Sequence, residues 1–199
     1  MTVRKAQPAE LPALIGVLAR AFDDDPFMAW FCRKDDRRRE AVARFMRVGV
    51  RVVVAPHAEI YTDDDHGGAA AWVPPGKWRL GFFRQLSFLP DLVRSPTLPR
   101  LGEVFGALNR ITARHPTTPH WYLFVLGVEP ARQGRGIGAE LIRPILERCD
   151  REQTPAYLEA SSPRNVPFYL RHGFRVQAEH QVTGGPPIWL MWRDPRPAT

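Results

Sequence analysis

Apolar residues recur at helical intervals along the first quarter of the chain, separated by short polar breaks. This spacing predicts a short strand beginning at Val3 and a helix over 9–22. A second helical region is predicted over 37–54. Its later half, 48–54, is rich in β-branched valine and is equally typical of a strand, so this boundary stays open.

Short apolar runs bounded by turn residues predict two hairpins. In the first, strands over 59–63 and 69–74 flank a turn of Asp, His and Gly residues. In the second, strands over 175–182 and 188–193 flank the sequence Gly-Gly-Pro-Pro.

The middle of the chain alternates strand and helix. Strands are predicted over 121–128 and 156–160, with a helix over 139–149 between them. This helix contains Pro144, where we expect a kink because proline cannot donate the helical hydrogen bond. Alternating strands and helices that end in a hairpin predict an α/β fold with a mixed sheet.

The stretch 77–119 is the least regular part of the sequence. It is rich in Phe, Leu, Arg and Pro, and we predict helices over 82–89 and 101–113 within it. Such an insertion commonly walls a substrate site, but a helical pair that covers the sheet is equally consistent with the sequence. We expect residues 1–199 to form a single domain that includes this insertion.

The boundary between the strand over 121–128 and the next helix carries the strongest functional signal. Residues 133–138 read Gln-Gly-Arg-Gly-Ile-Gly, with glycine at alternate positions. A helix start exposes unpaired N–H groups and the positive end of the helix dipole, and glycine lets a phosphate approach the backbone closely. Gln133 and Arg135 could add polar or charged donors. The turn therefore predicts a site for a phosphate-bearing cofactor.

Two motifs resemble those of a known superfamily. The turn lacks both the Gly-x-Gly-x-x-Gly of dinucleotide-binding folds and the Gly-Lys-Ser/Thr of a Walker A loop. It resembles instead the pyrophosphate-binding signature Gln-x-x-Gly-x-Gly of the GNAT acetyltransferases, and 128–130 is similar to that family's strand exit. A second motif over 165–174, with Asn165 near its start and Tyr-x-x-x-Gly-Phe at its end, looks like the GNAT helix further along.

The resemblance carries expectations about fold and reaction. Three segments look like the puromycin N-acetyltransferase branch of the superfamily, namely 21–26, 71–74 and 159–174. Membership implies a mixed central sheet with helices on both faces, whose two central strands splay apart to admit the pantetheine arm of acetyl-CoA. It also implies direct transfer of the acetyl group to a primary amine of a small molecule, an antibiotic-like aminonucleoside being one candidate.

The resemblance also implies which residues bind acetyl-CoA. Leu126, Gly127 and Val128 would present a strand edge to the cofactor, with Gly127 or Val128 as the oxyanion donor. The pyrophosphate would lie against Gln133, Gly134, Arg135, Gly136, Ile137, Gly138 and Ala139. Asn165 would hydrogen-bond CoA, cap the helix that it starts, or do both.

Two residues are candidates for acid–base chemistry. Tyr169 would protonate the leaving thiolate, because a phenol with a pKa of about 10 suits a thiolate of similar basicity; the alternative is an aromatic packed beside Phe168 and Phe174. Some GNAT members carry a glutamate early in the central strand, where Tyr122 stands here. Glu159, on the next strand, is the candidate base, but it could be structural instead, or water could take the proton.

Aspartates and tryptophans are candidates for the acceptor site. Asp24 and Asp25 follow the first helix, where the matching loop lies near the acceptor in the puromycin-type family. That family has tyrosine where Asp25 stands, which counts against puromycin itself. Three tryptophans could wall an aromatic acceptor or belong to the core: Trp30, Trp72 and Trp121. His115 and His120 look isolated, and no cluster has metal-ligand spacing, so no metal is expected.

Composition refines the choice of partners. The chain is 44% hydrophobic, typical of a globular protein, and its net charge of +7 favours anionic partners, either CoA or nucleic acid. Acidic residues interrupt the basic run over 33–39, which disfavours nucleic acid. Cys32 and Cys149 are expected to be free thiols in the cytoplasm, because the sequence has no apolar leader and no run near the roughly 20 residues of a membrane span.

Three functions compete at this point. The leading hypothesis is an acetyl-CoA-dependent N-acetyltransferase that acts on a small amine as a monomer or homodimer. A non-catalytic CoA or acyl-CoA sensor would use the same glycine turn. A nucleic-acid-associated protein would rest on the positive charge alone. The presence of Tyr169 favours the enzyme over the sensor, and the interspersed charges disfavour the third hypothesis.

Overall fold

Seven strands form one mixed sheet in the computed structural model, which describes residues 1–57, 59–79 and 101–197. The strands are β1 (Val3–Lys5), β2 (Ile60–Asp63), β3 (Gly68–Val73), β4 (Trp121–Val128), β5 (Ala156–Ala160), β6 (Arg175–Gln181) and β7 (Pro187–Arg193). The helices are α1 (Leu11–Ala21), α2 (Pro26–Phe31), α3 (Arg38–Val48), α4 (Leu101–Ala113), α5 (Ile137–Arg151) and α6 (Val166–Arg171).

The sheet has the spatial order β1-β2-β3-β4-β5-β7-β6. Strands β4 and β5 run parallel, whereas the other neighbouring pairs are antiparallel. The parallel pair is joined through α5, because parallel neighbours need a crossover connection. This mixed sheet with helices confirms the predicted GNAT-like α/β fold.

Each face of the sheet is covered by its own hydrophobic core. Apolar residues of α1 to α4 pack on one face, and those of α5 and α6 pack on the other. Gly127 lets α1 approach β4 closely, since a Cβ at this position would lie 2.8 Å from Leu18 Cδ2 and 3.0 Å from the Ala21 Cβ. The centre of β4 is therefore covered on both faces.

The predicted elements agree with the structure in type and differ mainly in their ends. Both hairpins, the strand over 156–160 and the helix over 101–113 are confirmed, while the prediction over 82–89 lies outside the described residues. The open boundary in 48–54 is settled as helical, because α3 continues into a π-helical turn over Gly49–Val54. Val50, Val53 and Val54 are buried against the core, so packing overrides their strand propensity.

Both cysteines are free and fully buried. Burial raises the pKa of the Cys32 and Cys149 thiols to about 12, so neither is a reactive thiolate at neutral pH. Pro144 lies within α5. In the described part of the chain, no helix has the length and apolar character needed to cross a membrane.

Candidate active site

The glycine turn between β4 and α5 has a backbone that only glycine adopts easily. Gly134 and Gly136 have φ angles of 77° and 81°, in the left-handed region. A Cβ built on either residue would meet no atom within 4 Å, so space is open on that side of the turn. Gly136 is the N-cap of α5, which runs for 15 residues.

Main-chain N–H groups without a main-chain partner are grouped at this turn. Within the described residues, the N–H groups of 134–138 donate to no main-chain carbonyl, and the first helical bonds run from Ala139 and Glu140 to the Gly136 oxygen, at 3.0 and 3.2 Å. Gln133 braces the turn, because its Nε2 donates to the Val128 oxygen at 3.2 Å. Free amides at the positive end of a helix fit a pyrophosphate, and exposed Arg135 adds charge beside them.

The central strands β4 and β5 separate next to this turn. They pair over three residues only, from Trp121 opposite Ala156 to Leu123 opposite Leu158. At the same point β4 contains a bulge: Ala71 opposes Val125 and Trp72 opposes Leu123, which leaves Phe124 without a partner on β3. The rest of β4 consequently has a free edge towards β5, where an added chain could pair.

A cavity of about 800 Å³ opens at this separation. Its wall is largely apolar and aromatic, and includes Phe22, Phe27, Met28, Phe45, Met46, Trp78, Tyr122 and Phe124. Leu126, Asn165 and Tyr169 line it as well, so the predicted cofactor and acid residues meet in one space. Asn165 is exposed, and its side chain makes no capping hydrogen bond, which leaves the amide available to a ligand.

Glu159 is the one carboxylate among the described lining residues. Its Oε1 lies 3.3 Å from His115 Nδ1, and His115 Nε2 lies 3.0 Å from His120 Nε2. The ring of Trp78 stacks on His115 with a centroid distance of 3.9 Å. The prediction that the two histidines are isolated is wrong, because the turn after α4 folds both rings towards β5. Their only sequence signal is a Pro-Thr-Thr-Pro turn between them.

Tyr169 is buried on α6, with 8% of its surface exposed, and its ring contacts Phe168 and Phe174. Burial and the nearby Asp25 charge raise the pKa of the Tyr169 phenol well above its ordinary value. The phenol therefore holds its proton at neutral pH and can act as a hydrogen-bond donor or an acid.

Asp25 and Asp24 differ in their surroundings. Asp25 is buried at the start of α2, where its Oδ1 accepts from the Met28 N–H at 3.0 Å and its Oδ2 accepts from the Ser161 hydroxyl at 2.6 Å. Burial raises the pKa of the Asp25 carboxyl. Ser161 lies just after β5, so this bond ties the α2 loop to the strand that carries Glu159. Asp24 is exposed on the same loop.

The structure does not bring the predicted tryptophans into the cavity. Trp72 and Trp121 are buried in the core beneath α5, on the face of the sheet opposite α1, and the Arg148 guanidinium lies 4.8 Å from the Trp121 ring centroid. Trp72 shares this face with Ala70 through the regular alternation of β3, whereas Trp121 reaches it because the bulge at Phe124 reverses the alternation along β4. Trp30 packs in the other core, against Phe27.

Comparisons with known proteins point to one family. The model of the Acetyltransferase (GNAT) family matches residues 17–174. An uncharacterized N-acetyltransferase of Schizosaccharomyces pombe is 25% identical over 209 residues, covering 98% of this chain and 84% of that protein.

Solved structures share the fold. One structure from Corynebacterium glutamicum, described as histone acetyltransferase HPA2 and related acetyltransferase, aligns with a TM-score of 0.73 and 23% identity. The alignment covers 100% of this chain and 98% of that protein. A polyamine N-acetyltransferase of Drosophila melanogaster that forms N-acetylagmatine aligns with a TM-score of 0.60 and 14% identity. This alignment covers 97% of this chain and 99% of that protein.

Proposed function

The chain belongs to the GNAT family of acetyltransferases and is an acetyl-CoA-dependent enzyme, and from this premise we propose that it acetylates the primary amine of a small, mainly apolar molecule. The observation that carries this proposal is the cavity, in which Glu159 is the one described carboxylate in an aromatic wall. The family uses an acetyl donor and an amine acceptor. What we propose here is the kind of amine that is used and the residues that carry out the acetyl transfer.

The free amides of 134–138 support a pyrophosphate site formed by the turn from Gln133 to Ala139. Free backbone along Leu126 to Val128 suits the amides of a pantetheine arm, in the manner of an added strand. Asn165 faces the same cavity and would donate its side-chain amide to CoA. These residues would hold acetyl-CoA with its thioester between Glu159 and Tyr169.

Bound acetyl-CoA supplies the acetyl thioester. Glu159 accepts the proton that the ammonium group must lose before it can attack. The backbone N–H of Val128 donates to the carbonyl oxygen as negative charge develops there, whereas the N–H of Gly127 faces Ala69 of β3 in the antiparallel ladder. Tyr169 gives its proton to the departing sulfur and regains one from the newly acylated nitrogen. One ammonium ion and one thioester thus yield an amide, a thiol and one proton.

The cavity wall favours a monoamine with an aromatic or apolar body. A second positive charge would be desolvated without a described carboxylate to pair with it, which is costly. An aminonucleoside with an aromatic substituent fits these demands and agrees with the resemblance to the puromycin N-acetyltransferase branch. Asp24 could attract the amine at the loop, whereas Asp25 already bonds to Ser161 and Met28 and would position that loop.

An amine panel tests this proposal. CoA release would be followed with a thiol reagent, and acetylated products identified by mass, for 2-phenylethylamine, puromycin, spermidine, agmatine and an aminoglycoside, with a reaction lacking amine as the baseline. We expect the aromatic monoamines to exceed the polyamines in kcat/KM by at least about tenfold. Preference for polyamines would overturn the acceptor assignment, and CoA binding without any turnover would indicate a sensor.

A further inference from the structure

A buried chain of polar contacts extends from the cavity towards the surface. It runs from Glu159 Oε1 to His115 Nδ1 at 3.3 Å, from His115 Nε2 to His120 Nε2 at 3.0 Å, and from His120 Nδ1 to the Thr118 oxygen at 2.6 Å. His115 and His120 are 7% and 1% exposed, whereas Thr118 lies in an exposed turn. Glu159 forms the inner end of these contacts and lines the cavity, as does His115.

The partners of the two rings fix how many protons the chain holds. The Thr118 carbonyl only accepts, so His120 Nδ1 carries a hydrogen. The contact between the two Nε2 atoms needs a second hydrogen, and the contact between His115 and Glu159 needs a third. Two neutral imidazoles carry one N–H each, and a carboxylate carries no hydrogen, which gives two hydrogens for three contacts. When all three contacts are made, the three side chains therefore share one additional proton and have no net charge.

Loss of that proton leaves Glu159, His115 and His120 with a combined net charge of −1. One of its three contacts then lacks a hydrogen, whichever tautomer His115 adopts. The proton-free chain is consequently a base whose protonation restores a buried hydrogen bond, and unsatisfied buried groups are costly. The strength of this base depends on all three side chains, since their titrations are coupled.

We propose that His115 and His120 extend Glu159 into a three-residue proton acceptor that takes one proton from the substrate ammonium. This rests on the proposed function, because it assigns the base for that reaction. The nitrogen–hydrogen bond of the ammonium breaks, and the proton enters at Glu159 and completes the contact with His115. His120 holds the His115 ring in place through the Nε2 pair, and both histidines are positioning residues.

Groups that face the chain support this direction of proton flow. Burial lowers the pKa of His120, with the hydrogen bond to the Thr118 carbonyl acting against it, so the His120 ring disfavours a second proton. The rings of Tyr122 and Tyr157 contact His115 edge-on, and burial together with the Glu159 charge raises the pKa of both phenols. Both phenols therefore stay neutral. Arg79 also lines the cavity, and its guanidinium lies 5.2 Å from the ring centroid of Trp78, which stacks on His115.

Nitrogen-15 NMR of the two imidazoles tests the chain without substrate. We expect His120 to carry its hydrogen on Nδ1, and His115 and His120 to respond together to a single titration. The substitution Glu159→Gln should move that titration to lower pH, because it removes the negative charge beside His115. His180, which is buried on β6 outside the cavity, should not respond to this substitution. Independent titration of the two rings would overturn the proposal.

Kinetics then test whether the chain serves catalysis. We expect His115→Phe, which keeps an aromatic ring beneath Trp78, to lower kcat/KM by about 10²-fold and to move the acidic limb of its pH profile. Free imidazole should restore part of the rate in His115→Ala. His180→Phe is the matched control and should keep the wild-type rate.

The outcomes separate two kinds of failure. If the NMR titration is coupled but His115→Phe keeps the wild-type kcat/KM and pH profile, the catalytic role of the histidines is overturned. A loss of rate that is equal at every pH and is not rescued by imidazole would overturn it as well. A coupled titration in an enzyme that acetylates no amine would instead refute the proposed function, and the catalytic role would fall with it.

Discussion

The glycine turn and the acceptor cavity are built in opposite ways. Five consecutive residues, 134–138, form the turn, and what they offer is exposed backbone N–H. The cavity is assembled from side chains of α2 to α4, β4, β5, β7 and α6 together with Phe22, and most of them are apolar. Its polar contacts join distant parts of the chain, such as Ser161 with Asp25 and Glu159 with His115.

This difference separates the two tasks of the enzyme. A site made of backbone depends on conformation, so any side chain that disturbs φ weakens it, whatever its polarity. A site made of side chains depends on chemistry, so removal of one polar atom matters while the fold stays intact. Cofactor binding and acetyl transfer should therefore respond to different substitutions.

The largest effect is expected from removal of one hydroxyl in the cavity. Tyr169→Phe should lower kcat by about 10²-fold or more, because it removes the proposed proton donor to the sulfur, while the Kd for CoA stays near the wild-type value. Steady-state kinetics and calorimetric titration of CoA measure the two quantities. Tyr61→Phe is the control, since Tyr61 is also buried but bonds to Glu59 away from the cavity. Equal losses in both variants would remove Tyr169 from the mechanism.

The next effect concerns the turn. Gly136→Ala should weaken CoA binding by about tenfold or more, because a left-handed alanine costs about 1–2 kcal/mol and displaces the amides that face the phosphate. Gly76→Ala is a closely matched control. Gly76 has a φ of 74°, and a Cβ added there would meet no atom within 4 Å, but this residue lies outside the turn between β4 and α5. Both variants should lose similar stability in thermal unfolding, and only Gly136→Ala should lose CoA affinity. Unchanged affinity in Gly136→Ala would disprove the pyrophosphate site.

The smallest effect concerns charge beside the turn. Arg135→Gln should weaken CoA binding about two- to fivefold at low salt, and the difference should shrink as ionic strength rises, since exposed charge pairs contribute roughly 0.2–1 kcal/mol and are screened. Arg143→Gln, further along α5 and paired with Glu140, serves as the control. A difference that is independent of salt would argue against a phosphate contact at Arg135.

The sequence predicts the turn and the regular elements because their signals are local. Helical periodicity and turn residues predict α4 and both hairpins, and Gly134 and Gly136 suit a left-handed backbone through their own lack of a side chain. The strand-like valines of 48–54 are the exception, because burial of Val50, Val53 and Val54 against the core maintains a helical backbone there.

The cavity could be predicted only in part, since its contacts depend on the tertiary fold. The ring of Phe124, the bulge residue, packs against Gly49, where a Cβ would lie 2.7 Å from it, and no periodic pattern reveals such an arrangement. Regular alternation along β3 directs Trp72 away from the cavity, and the bulge in β4 places Trp121 on the same side while Tyr122 lines the cavity. The partner of Glu159 is similarly invisible, because His115 lies 44 residues away.

The most direct test of the two-part site is calorimetric titration of CoA into Gly136→Ala and Glu159→Gln side by side. We expect weaker CoA binding in Gly136→Ala and an affinity near that of the wild type in Glu159→Gln, because the turn holds the cofactor and the carboxylate serves the amine. Equal weakening in both variants, or normal binding in Gly136→Ala, would contradict this expectation.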